Sequence, residues 1–181
     1  MAIIVVGGSG QGAGKTALIC GLIRATPRYH WTAVKITTHA HGHSAPVYEE
    51  TAAGQGTDTS RYLAAGARRA LLLTAHEDTL GEAVNGILDQ HLPSGHLIFE
   101  SNSVLHHLRP DLCFAVSSDL KGRHKPSFEI VERCAHATVA LAGHDHVIPG
   151  QRIHFHLRSL ERISPTMLEW LHEMLAAGLS E

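Results

Sequence analysis

The sequence predicts an α/β fold: a mostly parallel sheet with helices on both faces, in three layers. Three observations predict it. Residues 2–6 are an apolar, largely β-branched run that leads through a glycine-rich turn into an apolar-patterned helix, the order strand, loop, helix. Short apolar runs then alternate with helix-like segments to the end of the chain, which calls for crossover connections and parallel strands. The opening run is continuously apolar, as a central strand covered on both faces is.

Taken in order, residues 2–6 form the first strand and residues 16–25 the first helix, with Leu18, Ile19, Leu22 and Ile23 as its apolar stripe and Pro27 beyond its end. Residues 31–38 read as a second strand built on Trp31, Ala33, Val34 and Ile36. Residues 39–55 have no periodicity and read as a long loop broken by Pro46. A short helix follows, capped by Thr57 or Asp58 and ended by Gly66. Residues 69–74 form a third strand, 79–92 an amphipathic helix, 93–95 a turn, and 96–99 a fourth strand that ends in Glu100. Residues 104–108 make a helical turn, 111–116 a fifth strand, 126–133 a helix starting beside Ser127, 137–142 a sixth strand and 153–157 a seventh. A helix over 165–176, with Met167, Leu168, Leu171, Met174 and Leu175 on its apolar side, closes the chain before Gly178.

The turn after the first strand reads Gly8-Ser9-Gly10-Gln11-Gly12-Ala13-Gly14-Lys15-Thr16. Glycines let backbone N–H groups converge on one anion, and the opening helix adds a partial positive charge there. Lys15 can reach the terminal phosphates of a nucleotide, and the Thr16 hydroxyl can join a Mg²⁺ shell. The pattern is that of a phosphate-binding P-loop, so the expectation is a three-layer P-loop NTPase fold with residues 1–181 as one nucleotide-binding domain. Gly10, Gln11, Gly12, Ala13, Gly14, Lys15, Thr16 and Ala17 are the expected phosphate contacts. The spacing is unusual: Ser9 stands where the first glycine of the common pattern falls, and counting from Gly8 leaves five residues before Gly14. That longer loop is similar to the one in dethiobiotin synthetase-type enzymes.

Composition narrows the class. The chain has 181 residues, 44% hydrophobic and 18% charged, with a formal charge of −2, which is ordinary for a globular protein and shows no nucleic-acid footprint. No run reaches membrane-span length and the start lacks a signal-peptide pattern, so a cytoplasmic location is expected and a membrane role is not. The three cysteines, Cys20, Cys113 and Cys134, lie in apolar contexts and read as reduced core residues. The 16 histidines make the charge vary with pH.

Further side chains could carry chemistry. Glu100 ends an apolar strand, where an acid commonly orients the Mg²⁺ shell of a P-loop site. Asp119 follows the fifth strand and could accept from a guanine, or belong to a plain loop entering a helix. His39, His41 and His43 alternate in the long loop; they could converge on Zn²⁺ or Ni²⁺, contact an anionic substrate, or form a solvated surface. His144 with His146, and His154 with His156, repeat that spacing.

Asp58-Thr59-Ser60-Arg61 and Ala65-Gly66-Ala67 resemble a segment of the molybdopterin-guanine dinucleotide biosynthesis protein B (MobB) family. Val34-Lys35-Ile36-Thr37-Thr38-His39 is similar to that family's second strand, and Glu100 to its strand-end acid, although Ser101 replaces the glycine that normally follows. The resemblance covers about the first hundred residues. It implies a GTP- or ATP-binding protein with slow hydrolysis, acting beside a molybdenum-cofactor nucleotidyltransferase or a molybdoenzyme, with dimers plausible. It also implies that Lys35 and Asp58 face the γ-phosphate or its Mg²⁺, so that Lys15, Asp58 and Glu100 would carry the hydrolysis and Thr16, Asp58 and Glu100 the metal. Two other classes stay open: a histidine-rich metallochaperone GTPase similar to nickel-insertion proteins, and a small-molecule kinase or ligase like dethiobiotin synthetase.

Overall fold

The computed structural model describes residues 1–39, 46–54, 56–117, 126–141 and 153–178. Its strands are β1 (Ile3–Gly8), β2 (Thr32–His39), β3 (Tyr48–Glu49), β4 (Arg69–His76), β5 (Leu97–Glu100), β6 (Leu112–Ser117), β7 (Ala137–Leu141) and β8 (His154–Leu157). Its α-helices are α1 (Lys15–Ala25), α2 (Asp58–Ala64), α3 (Leu80–His91), α4 (Phe128–Cys134) and α5 (Pro165–Gly178). Among the described residues the strands form one sheet in the order β3-β4-β2-β5-β1-β6-β7-β8. All neighbours pair in parallel except β3, which runs antiparallel to β4 at the edge.

Strand alternation sorts the core into two layers. Ile4, Val6, Ala33, Ile98, Phe114, Val116 and Val139 pack with Leu18 and Leu22 of α1, Tyr62 of α2, and Met167 and Leu171 of α5. Val5, Val34, Phe99, Cys113 and Ala115 face the other way, onto Val84 and Ile87 of α3 and Phe128 and Val131 of α4. Each fully buried large apolar side chain contributes about 1.5–3 kcal/mol, so both helical layers are fastened by the same central strands. The same alternation fixes the site. Lys35 falls on the face of Ala33 and Glu100 on the face of Ile98, and the two are register partners across β2 and β5. Both therefore point toward the layer of α1 and α2.

The loop expected over 39–55 contains β3, a difference from the sequence reading. A two-residue strand has no periodicity to read; it exists because Tyr48 and Glu49 pair with Leu72 and Leu71. Arg69 clamps it, donating from Nε and Nη2 to the two Glu49 carboxylate oxygens at 2.7 and 2.6 Å. The turn expected at 93–95 is part of a 3₁₀ segment, Leu92–Ser94. Thr57, not Asp58, caps α2: its hydroxyl accepts from Ser60 N at 3.1 Å and its own N–H donates to Ser60 Oγ at 3.0 Å. Asp58 is thereby left free to act as a side chain at the first helical position. Cys20 and Cys113 are buried free thiols, as expected, whereas Cys134 is only half-buried.

Candidate nucleotide site

The P-loop is shaped by its neighbours. The amide of Asn102 accepts from Gly8 N–H at 2.9 Å and donates to Gly8 O at 3.0 Å, pinning the end of β1. Ser9 N–H donates to Val116 O at 3.0 Å, which turns the chain away from β1 alongside β6. Gly12 and Gly14 then adopt φ of 77° and 95°, values that disfavour any other residue. At Gly14 a Cβ would also lie 2.1 Å from Leu160 Cδ1. The first intrahelical bond of α1 is from Leu18 N–H to Gly14 O, so the N–H groups of Lys15, Thr16 and Ala17 precede it at the positive end of the helix. Lys15 Nζ donates to Gly10 O at 3.0 Å across the loop.

Behind the loop, five side chains from four elements meet. Glu100 is 3% exposed. One of its oxygens, Oε2, accepts from Thr16 Oγ1 at 2.7 Å and from the Tyr62 hydroxyl. The other, Oε1, accepts from Lys35 Nζ, which also lies 2.9 Å from Asp58 Oδ2. Burial works against the Lys35 charge, but Glu100 and Asp58 outweigh it and hold the ammonium above its usual range. For Asp58, burial pushes upward and the bonds from Lys35 and Thr16 outweigh it, so its carboxyl sits below the usual range. Burial, and then the neighbouring Glu100 carboxylate, raise the Tyr62 hydroxyl well above 10. It is therefore a permanent donor. Outside this group Arg61 extends the chain of charges: it lies 3.8 Å from Asp58 and bonds Glu161 at 3.1 Å, and Glu161 also bonds Arg24 at 3.1 Å.

Open space borders the cluster on two sides. A cavity of about 390 Å³ runs along Gly12, Gly14, Thr16, Asp58 and Arg61. A second, of about 410 Å³, lies between the P-loop and the ends of β2 and β5, lined by Lys15, Lys35, Thr37, Asn102, Ser103 and Ser127. A cavity of about 430 Å³ walled by Tyr29, His96 and His172 is elsewhere, at the far end of α1.

The structure thus brings Lys15, Thr16, Lys35, Asp58 and Glu100 together. The oxygen-only set of Thr16, Asp58 and Glu100 suits a hard cation that keeps waters and phosphate oxygens, which fits Mg²⁺. His39 is exposed at the end of β2, in register with His76 of β4, and not beside the cluster. His41, His43 and Asp119 lie outside the described residues. Among the described residues no group of three or more His, Cys, Asp or Glu is placed to hold a metal. Sequence reasoning missed Tyr62 and Asn102. Tyr62 sits at a helix position that reads as core, and Asn102 stands in the stretch that reads only as a departure after Glu100.

No protein-family model matches the chain, and neither does any curated protein. Among solved structures the chain is similar to LpxK from Aquifex aeolicus in complex with ATP, with a TM-score of 0.50, 19% identity, and 84% of this chain and 53% of that one covered. It is also similar to a MobB protein homolog from Bacillus stearothermophilus, with a TM-score of 0.49, 16% identity, and 97% and 99% covered. The chain spans about half the length of the LpxK chain. No helix among the described residues is long and apolar enough to cross a membrane. With its P-loop at the carboxyl end of a central parallel strand and helices on both faces, the chain has the three-layer P-loop NTPase fold, the architecture that the MobB resemblance in its sequence implies.

Proposed function

We propose that the chain is a cytoplasmic, dimeric protein that binds a nucleoside triphosphate, GTP or ATP, with Mg²⁺ and hydrolyses it slowly in support of molybdenum cofactor biosynthesis. The observation that carries the nucleotide part is the convergence of Thr16, Lys35, Asp58 and Glu100 directly behind the P-loop. The loop N–H groups and Lys15 hold the phosphates. Thr16, Asp58 and Glu100 hold Mg²⁺, which when bound neutralises charge on the phosphate oxygens. Turnover is slow because neither carboxylate is set to take a proton from water. Asp58 is held below its usual range by Lys35, and Glu100 already accepts from Thr16, Tyr62 and Lys35. The pathway assignment rests on the resemblance of Lys35, the Asp58–Ala67 stretch and Glu100 to MobB.

A second reading is favoured by the polar cleft of about 410 Å³ beside Lys15. Its hydroxyl and amide walls suit a small hydroxylated phosphate acceptor, as in a kinase or ligase of the dethiobiotin synthetase type. Thermal-shift titration with GTP and ATP in the presence of Mg²⁺ tests the nucleotide site. Wild type should be stabilised by at least one of them, and Lys15→Ala should show no such shift; an equal shift in both proteins would refute the P-loop assignment. Release of free phosphate supports hydrolysis, and label appearing on an added acceptor supports the second reading. Nucleotide-dependent co-elution with a molybdenum-cofactor nucleotidyltransferase checks the pathway.

A further inference from the structure

The Lys35 ammonium is seated between Asp58 Oδ2, at 2.9 Å, and Glu100 Oε1, the two carboxylates that with Thr16 form the oxygen set for a divalent cation. The position is built in. Lys35 is the register partner of Glu100 on the adjacent strand, and Asp58 opens α2 directly opposite. The Lys35 side chain is 23% exposed and that of Glu100 3%, so solvent screens the contact only partly.

Glu100 does not depend on Lys35 for its orientation. Its second oxygen is fixed by Thr16 at 2.7 Å and by buried Tyr62, so the carboxylate stays in place when the ammonium leaves. Lys35 also has somewhere to go. It lines the cavity along the P-loop, the polar cleft beside Asn102, and a third cavity of about 260 Å³ under Tyr48 and Thr57. A lysine stem with freely rotating donors can follow an anion into any of them.

Resting on the nucleotide reading above, we infer that Lys35 is an exchangeable counter-cation that makes divalent-metal binding conditional on nucleotide. A free metal ion must displace the ammonium and strip its own waters, and it leaves the lysine without a partner. A metal ion that arrives on a polyphosphate brings the replacement partner with it. The ammonium passes from the carboxylates to the phosphate oxygens, and the metal takes its place. Lys35 is a positioning residue in this scheme: it decides when the Asp58–Glu100 pair is open, not what chemistry follows.

Mn²⁺ is the probe, with the free ion counted by electron paramagnetic resonance and the ion held by the nucleotide analogue alone, measured without protein, subtracted. For wild type, Mn²⁺ binding should be at least about tenfold tighter with a non-hydrolysable ATP or GTP analogue than without. Lys35→Met should gain nucleotide-independent Mn²⁺ binding, at least about tenfold tighter than wild type, and Lys35→Met with Asp58→Asn should lose that gain. Lys35→Arg, which keeps the charge, should behave as wild type. The exposed carboxylate pair could weaken folding of Lys35→Met, so melting is read as well: Mg²⁺ alone should raise its melting temperature and leave that of wild type unchanged. Wild type that binds Mn²⁺ equally well with and without nucleotide overturns the inference, as does folded Lys35→Met with wild-type Mn²⁺ affinity. A failed nucleotide shift in wild type would instead refute the P-loop reading, whatever Lys35→Met does with metal.

Discussion

Tyr62 shows how much one hydroxyl can decide. Its ring is fully buried in the layer under α1, and its hydroxyl is spent on Glu100. Removing that donor leaves a buried carboxylate with two donors instead of three. Tyr62→Phe should therefore cost about 1–3 kcal/mol, a fall in melting temperature of roughly 2–12 °C for a chain of this length. Thermal denaturation checks it, and an unchanged melting temperature would mean that Thr16 and Lys35 hold Glu100 alone. Residues of this kind are illegible in sequence. A tyrosine in a short helix carries no sign of its partner; its role appears only when Glu100 is found beside it. Lys15 and Thr16 are legible for the opposite reason, because the glycine-rich turn that marks them is adjacent in the chain.

At the scale of elements, the P-loop turn is held from outside as much as from within. Gly14→Ala combines a φ of 95°, costing about 1–2 kcal/mol for a side chain, with a Cβ that collides with Leu160. It should lower stability by at least that amount and weaken the nucleotide-induced shift. Adding Leu160→Ala removes the collision but opens a cavity in the core and leaves the backbone strain, so it should not recover the loss. Full recovery in the double variant, measured by chemical denaturation, would mean the collision alone was responsible. Most elements were legible, since buried parallel strands are continuous apolar runs and α1, α3 and α5 carry clear stripes. β3 was not, because two residues at an edge are ordered by Arg69 and β4 rather than by their own pattern. The histidines also acquire a use at this scale. His96, just before β5, accepts from Ala2 N–H at 2.9 Å, and His136, just before β7, accepts from Cys113 N–H at 3.0 Å. Each joins the starts of neighbouring parallel strands through Nδ1.

For the whole molecule these bonds set the pH response. Burial, aided by nearby positive groups at His91 and His96, holds His91, His96 and His136 below the usual histidine range. His91 faces Arg69 Nη1 at 3.1 Å through the same ring nitrogen. A depressed histidine contributes stability that is complete above about pH 6.5 and lost as pH falls through its lower folded value. Asp58, also depressed, adds a loss further down, below about pH 3.9. Lys35, raised, contributes below about pH 10.4 and loses that contribution as pH climbs through its folded value. Stability should be flat from near neutral to about pH 8.5, fall above that as the thiols of Cys20 and Cys113, raised by burial, ionise in the unfolded chain first, and decline from about pH 6.5 downward. Melting temperatures across pH test it; His96→Gln with His136→Gln should soften the acid decline between about pH 6.5 and 5. The sheet order belongs to this scale too. The alternation of strands and helices announced a parallel sheet, but nothing local announces that β5 inserts between β1 and β2, the placement that sets Glu100 against Lys35.

The contact of Leu160 with Gly14, and of Glu161 with Arg24 and Arg61, ties the two ends of α1 to a segment far away in the chain. Arg24 and Glu161 are 137 positions apart, and closing so long a loop comes late in folding. The phosphate-binding turn should therefore be among the last parts of the fold to become competent, with nucleotide capture during refolding lagging the formation of the sheet.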